Sequence, residues 1–242
     1  MRIIFNALFF LLIFFLSCNS EITAEKLLQN SIKAHGGEDA WKNITSISYL
    51  KKTTFYNESG FIEEEKRQKI KHFWSPFKTS IEWVDRGDIF FAYSFKNKIN
   101  FYKNDTLQTD STQLKKIDEL LKGAFYVFWQ PYNLLDSKTN LKYLGTENLL
   151  DSIPVHVLRV TYSNDEVGDD IWHYYFKIDN YKLKAAKVKH NKKESLIINE
   201  LIENETGLSL NKIRKSYNLD SLGKIKYLRA SYNYEINSFK KK

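Results

Sequence analysis

The stretch AEKLLQNSIKAHGGEDAWKNITSIS, residues 24–48, decides the fold. Its hydrophobic period changes partway along. Ala24, Leu27, Leu28, Ser31, Ile32 and His35 recur every three or four residues, the spacing of one helix face, so a helix is expected over residues 24–35. Thr23 suits its N-cap and Gly36-Gly37 its left-handed stop. A short second turn passes Trp41. From Ile44 the period drops to two, and a strand is expected to run to Tyr56, ending at the turn Asn57-Glu58-Ser59-Gly60.

Short alternating runs continue outward from there. Strands are expected over residues 61–73, 78–84, 89–95 and 99–102, separated by Ser75-Pro76, Arg86-Gly87-Asp88 and Lys96-Asn97-Lys98. Residues 111–135 break the pattern. Ser111 or Thr112 is placed to cap a helix carrying Leu114, Ile117, Leu120 and Leu121. The almost uncharged run GAFYVFWQPYNLL, Gly123 to Leu135, follows. Strands resume over residues 141–146, 155–162, 171–178, 182–190, 195–202, 208–217 and 224–236. The reading is a mainly β protein with helices (α+β): a strongly curved antiparallel sheet of about eleven strands. Such a sheet needs something to fill its concave face, and the helices are the candidates for lid or plug.

The N-terminus speaks to compartment. Arg2 precedes an apolar run, Ile3 to Leu16, too short to span a bilayer and of the length of a signal-peptide core. Phe15-Leu16-Ser17-Cys18 follows the lipobox pattern, with Phe15 in place of the usual aliphatic residue. Residues 1–17 then form a lipoprotein signal peptide, 18–23 a lipidated tether and 24–242 a single domain. Cys18 is the sole cysteine. Lipidation consumes it, and one cysteine excludes both a disulfide and a zinc–thiolate site. Several acyl chains at about 0.8 kcal/mol per buried methylene give a stable anchor. Asn19, not Asp, follows Cys18, which favours the outer over the inner membrane.

Net charge is +8 and falls to +7 when Arg2 leaves with the signal peptide. The excess is scattered apart from Lys240-Lys241-Lys242. In an envelope protein its natural partner is an anionic lipid surface; no nucleic-acid motif is present. No G-x-S-x-G, P-loop or Cys–His pair occurs, so no enzyme and no cofactor are expected. His156 and His173 fall on neighbouring expected strands and are placed to meet, but no carboxylate sits beside them at metal-ligand spacing. The acidic stretch 164–170 lacks the spacing of a calcium loop and reads as a hairpin turn.

Four segments together resemble the LolA/LolB superfamily of envelope lipoprotein carriers. The first is Ala24-Glu25-Lys26-Leu27-Leu28 through His35-Gly36-Gly37 and Trp41 into Ile44-Thr45-Ser46-Ile47. The second is Leu144-Gly145-Thr146-Glu147 through Ile153 to Leu158, the third Tyr174 to Asp179, and the fourth Asn204 to Lys212, with Asn211 at the usual proline position. The chain is also similar to uncharacterised Bacteroidota lipoproteins of about this length. The resemblance implies an unclosed β-barrel with a helical lid over an apolar cavity that binds acyl chains or another apolar ligand. On that reading Leu121, Phe125, Tyr126, Phe128 and Trp129 form the lid, and Trp74, Trp83, Phe90 and Tyr93 are wall candidates. A monomer is expected. The competing reading is a structural lipoprotein whose interior is filled by these same side chains.

Cys18→Ser tests the anchor: it is expected to abolish labelling of the chain by radioactive palmitate in a bacterial host and to leave the precursor uncleaved. Undiminished labelling would remove Cys18 as the lipidation site.

Overall fold

The computed structural model describes residues 22–96, 98–136, 139–162, 170–190 and 193–242. Cys18, the expected signal peptide and most of the expected tether lie outside the described residues, as does the acidic stretch up to Asp169, for which a hairpin turn is expected. The opening helix, α1, spans Ala24–Ala34, and Thr23 caps it: its Oγ1 accepts from the Lys26 N–H at 3.2 Å. A one-turn helix, α2, follows at Glu38–Lys42.

Thirteen strands among the described residues form one sheet. The first six are β1 (Ile44–Tyr56), β2 (Ile62–Trp74), β3 (Phe77–Asp85), β4 (Asp88–Phe95), β5 (Lys98–Lys103) and β6 (Thr106–Gln108). After a helical connection come β7 (Thr139–Leu149), β8 (Ile153–Tyr162), β9 (Ile171–Lys177), β10 (Leu183–His190), β11 (Lys193–Glu203), β12 (Leu210–Leu219) and β13 (Ile225–Lys241). The count exceeds the expected figure of about eleven; the twelve expected ranges correspond to β1–β5 and β7–β13, and β6 has no counterpart among them. β6 escaped notice because three residues carry no readable period; its signal is the Asn104-Asp105 turn, where both residues have positive φ, as a tight hairpin needs.

The order across the sheet is β6-β5-β4-β3-β2-β1-β13-β12-β11-β10-β9-β8-β7, and every neighbouring pair is antiparallel. Two meanders are thus joined by pairing the first strand with the last. The free edges are β6 and β7, so the barrel is unclosed. Register shifts in the β1–β13, β7–β8, β9–β10, β11–β12 and β12–β13 ladders each insert a bulge, and bulges bend strands. At the β7–β8 shift Gly145 has φ +100, which only glycine adopts cheaply.

Residues 109–138 connect the two free edges across the concave face. Here α3, Ser111–Phe128, runs unbroken for 18 residues, about 27 Å. Its cap is Asp110, whose Oδ1 accepts from the Gln113 N–H at 2.7 Å, just ahead of both expected caps, Ser111 and Thr112. The uncharged run is therefore the last third of α3, from Gly123 to Phe128, the link through Trp129 to Pro131 and a 3-10 turn at Tyr132–Leu135. The helix packs on β1–β5 through Ile117, Leu121 and Phe128. Its counterpart α1 covers the other half of the concave face, where Leu27, Leu28 and Ile32 meet Leu158, Tyr174, Phe176 and Leu183. A smaller cluster around Val155, Tyr175 and Ile198 lies on the opposite face of β8–β11.

The end of α1 is pinned to the loop between β11 and β12. Gly36 has φ +117, and a Cβ there would stand 2.8 Å from both the Gly207 carbonyl oxygen and Leu208 Cδ2. Beside it the Ser209 N–H donates to the His35 carbonyl at 3.0 Å. Gly36→Ala meets strain and backbone collision together, and a loss of about 2–4 kcal/mol in urea unfolding is expected. Wild-type stability in that variant would show that the loop moves freely away from α1.

Candidate functional site

The interior between α3 and the sheet is the candidate site. Successive helical turns point Leu121, Phe125 and Phe128 at the sheet, and Trp129 ends the row. Phe128 stacks on Tyr49 with centroids 4.0 Å apart. Trp129 meets Trp74 edge-on at 4.6 Å and Trp41 at 5.1 Å. Trp83, Phe90 and Phe101 form a parallel stack further along the same face. Phe128 is 2% and Trp129 1% exposed, so side chains of the chain itself occupy this space.

One polar side chain lies at its centre, and sequence reasoning missed it. His72 is fully buried beneath Phe125, Phe128 and Trp129. Its Nε2 and the Tyr49 hydroxyl are 3.1 Å apart, and its Nδ1 and Thr79 Oγ1 3.0 Å. Burial lowers its pKa from the ordinary 6.5 to about 3, so the ring is neutral. The available signal was that His72 alternates in phase with Ile70 and Trp74 on β2.

Tyr126 faces the other half of the sheet. Its hydroxyl is 2.8 Å from that of Tyr174, and Gln130 Nε2 donates to Tyr174 at 3.0 Å. Burial raises the pKa of Tyr126 and Tyr174, so both hydroxyls stay protonated. The 18-residue lid therefore bridges both meanders: an aromatic patch on β1–β5 and a polar knot at β9.

Several buried polar atoms in and around this segment have no hydrogen-bond partner among the described residues: Trp41 Nε1, Trp129 Nε1, Gln130 Oε1, Tyr162 Oη and Trp172 Nε1. Tyr162 and Trp172 both ring Tyr126. Each such atom costs about 1–3 kcal/mol relative to a satisfied one, which makes the lid's seating on the sheet polar-poor and weakened.

The structure gathers eight of the nine lid and wall residues on the concave face and sends one away. Tyr93 is three residues past Phe90, so alternation puts it on the outer face, where Lys78 Nζ lies 4.3 Å from its ring centroid. There it lines an open cleft of about 490 Å³ with Phe91 and Tyr102. A second cleft, about 480 Å³, opens beside β13 and the β11–β12 loop. His156 and His173 do not meet: they are out of register and on opposite faces, with Arg159 opposite His173. His156 stacks instead on Tyr181 and reaches the Tyr143 hydroxyl at 2.9 Å.

Two solved structures share this architecture. One is a LolA superfamily protein from Nitrosomonas europaea, 9% identical, covering 92% of this chain and 94% of its own, with a TM-score of 0.50. The other is a Vibrio parahaemolyticus domain ascribed by inference to outer membrane lipoprotein sorting: 13% identical, 90% and 93% covered, TM-score 0.53. No protein-family profile matches the chain. No curated protein matches it either. The chain has a LolA-like fold.

Two neutral buried histidines make stability depend on pH. His35 Nδ1 lies 2.8 Å from the Ser31 carbonyl, so that nitrogen carries the proton, and Nε2 accepts from the Leu183 N–H at 3.4 Å. Burial lowers its pKa to about 4. Unfolding returns both rings to about 6.5, so the unfolded chain binds the extra protons. Stability is full above pH 7 and falls as pH drops from 6.5 toward 4, by about 4 kcal/mol for the pair at pH 5. Urea midpoints at pH 7.5 and 5.0 measure this, and His72→Gln is expected to remove about half the difference. Equal midpoints in the wild type would mean that the rings are not buried neutral.

Proposed function

We propose that this chain is a non-catalytic, lipid-anchored protein of the bacterial cell envelope. Its concave face accepts the acyl chain of a lipid or similar apolar ligand in place of α3. The observation that carries this reading is the seating of that helix. It is the connection between the two free edges, so it swings without breaking any strand pairing. Where it meets the aromatic surface, Trp41 Nε1 on the covered side and Trp129 Nε1 and Gln130 Oε1 on the connection itself have no hydrogen-bond partner among the described residues. The fold likeness to a LolA superfamily protein and to a domain ascribed to lipoprotein sorting supports it.

Binding on this reading is passive. Acyl methylenes replace the lid's aromatic rings on the sheet, each contributing about 0.8 kcal/mol, and the displaced helix loses its own burial. Lid and ligand compete for one surface. Cys18 would hold the carrier at the membrane, with the outer membrane favoured, and the scattered lysines would meet anionic head groups. The complete burial of Phe128 and Trp129 favours a second reading, a scaffold whose interior is permanently self-filled.

Competition separates the two. Residues 22–242 would be purified without detergent, extracted with organic solvent and assayed by mass spectrometry for bound lipid. Quenching of tryptophan fluorescence by a dibrominated fatty acid would measure affinity, since Trp41, Trp74 and Trp129 line the site. Phe128→Ala removes the stack on Tyr49 and is expected to cost about 3 kcal/mol of stability. A carrier then binds more tightly, about tenfold for each 1.4 kcal/mol by which closure is weakened. A scaffold shows no lipid and no quenching in either protein.

A further inference from the structure

The inner face of β12 carries an arginine for which the described residues supply no counter-charge. Arg214 is 3% exposed. It stands in register between Asn199 of β11 and Tyr232 of β13, on the face that also bears Tyr174. Its Nε–H has no acceptor, and the side-chain oxygen of neighbouring Asn199 has no donor. No carboxylate among the described residues pairs with it. A guanidinium buried without a partner costs several kcal/mol of desolvation, and a soluble domain gains nothing from that cost unless something meets the charge.

Its neighbours identify what would meet it. Tyr232 stands directly opposite Arg214 across the β12–β13 ladder, and Tyr174, three strands away on β9, shares its face; the Arg214 charge acts to lower the pKa of both tyrosines, against the larger effect of burial. The Tyr174 hydroxyl is held by two lid groups, Tyr126 Oη and Gln130 Nε2. When the lid lifts, Tyr174 loses both partners and regains a free O–H on the face it shares with the guanidinium. A planar fork of N–H donors next to a phenolic donor is the chemistry that recognises an oxyanion. Aliphatic and aromatic side chains surround it on the same concave face.

We infer that Arg214, with Tyr174, receives the oxyanion head of a single-chain amphiphile, a carboxylate or phosphate monoester, whose acyl chain lies where α3 lay. This inference rests on the acyl-carrier reading and adds the head-group class to it. It also gives the ligand a reason to open the lid, since the head group takes over Tyr174 from Tyr126 and Gln130.

The test compares laurate with 1-dodecanol, equal in chain and different in head, at pH 8 on residues 22–242. The wild type is expected to bind laurate at least about tenfold more tightly, the value of one charge-assisted hydrogen-bonded contact. Arg214→Gln should keep the affinity for dodecanol and lose the preference, and Arg214→Lys should keep part of it. Arg214→Met, with its unpaired charge gone, should unfold at a higher temperature than the wild type when ligand-free; a lower temperature would overturn the assignment of an unmet charge. Equal binding of the two amphiphiles by the wild type, or an unchanged preference in Arg214→Gln, would overturn the head-group site and leave the carrier reading standing. Binding of neither would remove both. Displacement of laurate by millimolar inorganic phosphate would show a free-anion site and overturn the amphiphile.

Discussion

The pairing of β1 with β13 is the constraint on which the rest depends. It runs from Ile44 opposite Lys241 to Phe55 opposite Ala230 and welds two meanders into one sheet. Because first and last strands meet in the middle, the free edges fall to β6 and β7, the two strands flanking the long connection. That connection must cross the concave face to join them. The position of α3 thus follows from topology before any side chain on it is considered. Pairings this distant in sequence also place the molecule among slow folders, since loop closure precedes the reward of contact.

What α3 covers combines two unlike surfaces. Toward β1–β5 the seal is apolar and close, Phe128 on Tyr49 and Trp129 among Trp41 and Trp74. Toward β9 it is polar, with two hydrogen bonds to Tyr174 set against several donors and acceptors unmet among the described residues. A permanent plug would be expected to satisfy those atoms or replace them by apolar ones. On the proposed reading the cover trades places with an amphiphile, its chain on the apolar side and its head on the polar side.

Much of the frame was legible in the chain. The change of period at Gly36-Gly37 marks helix then strand, and Thr23 caps where sequence placed it. Most strands announced themselves by alternation and by Asn, Asp and Gly at their turns. The failures have specific causes. β6 has three residues and no period. Tyr93 shares a strand with Phe90 but sits an odd number of residues away, so it faces outward. His156 and His173 are on adjacent strands, yet the register sets them on opposite faces. Arg214 was invisible because Lys212, Arg214 and Lys215 together read as a wet strand; only the packed neighbours on β9 and β13 show that its side is the interior.

By itself the sequence determined which segments are helix and which are strand, and that the molecule is a curved antiparallel sheet needing a plug. Those properties are local: they depend on period, capping and turn chemistry within a few residues. It also determined that Phe125, Phe128 and Trp129 would be inside, because an apolar run of that density has no other place in water. Tertiary structure alone decided which strand is the edge, which face each side chain takes and what stands opposite it. Register across strands far apart in sequence sets those relations, and a shift of one residue reverses them. The buried charge of Arg214 between Asn199 and Tyr232, on the face that bears Tyr174, belongs to that second class, since it exists only once β9 to β13 lie side by side.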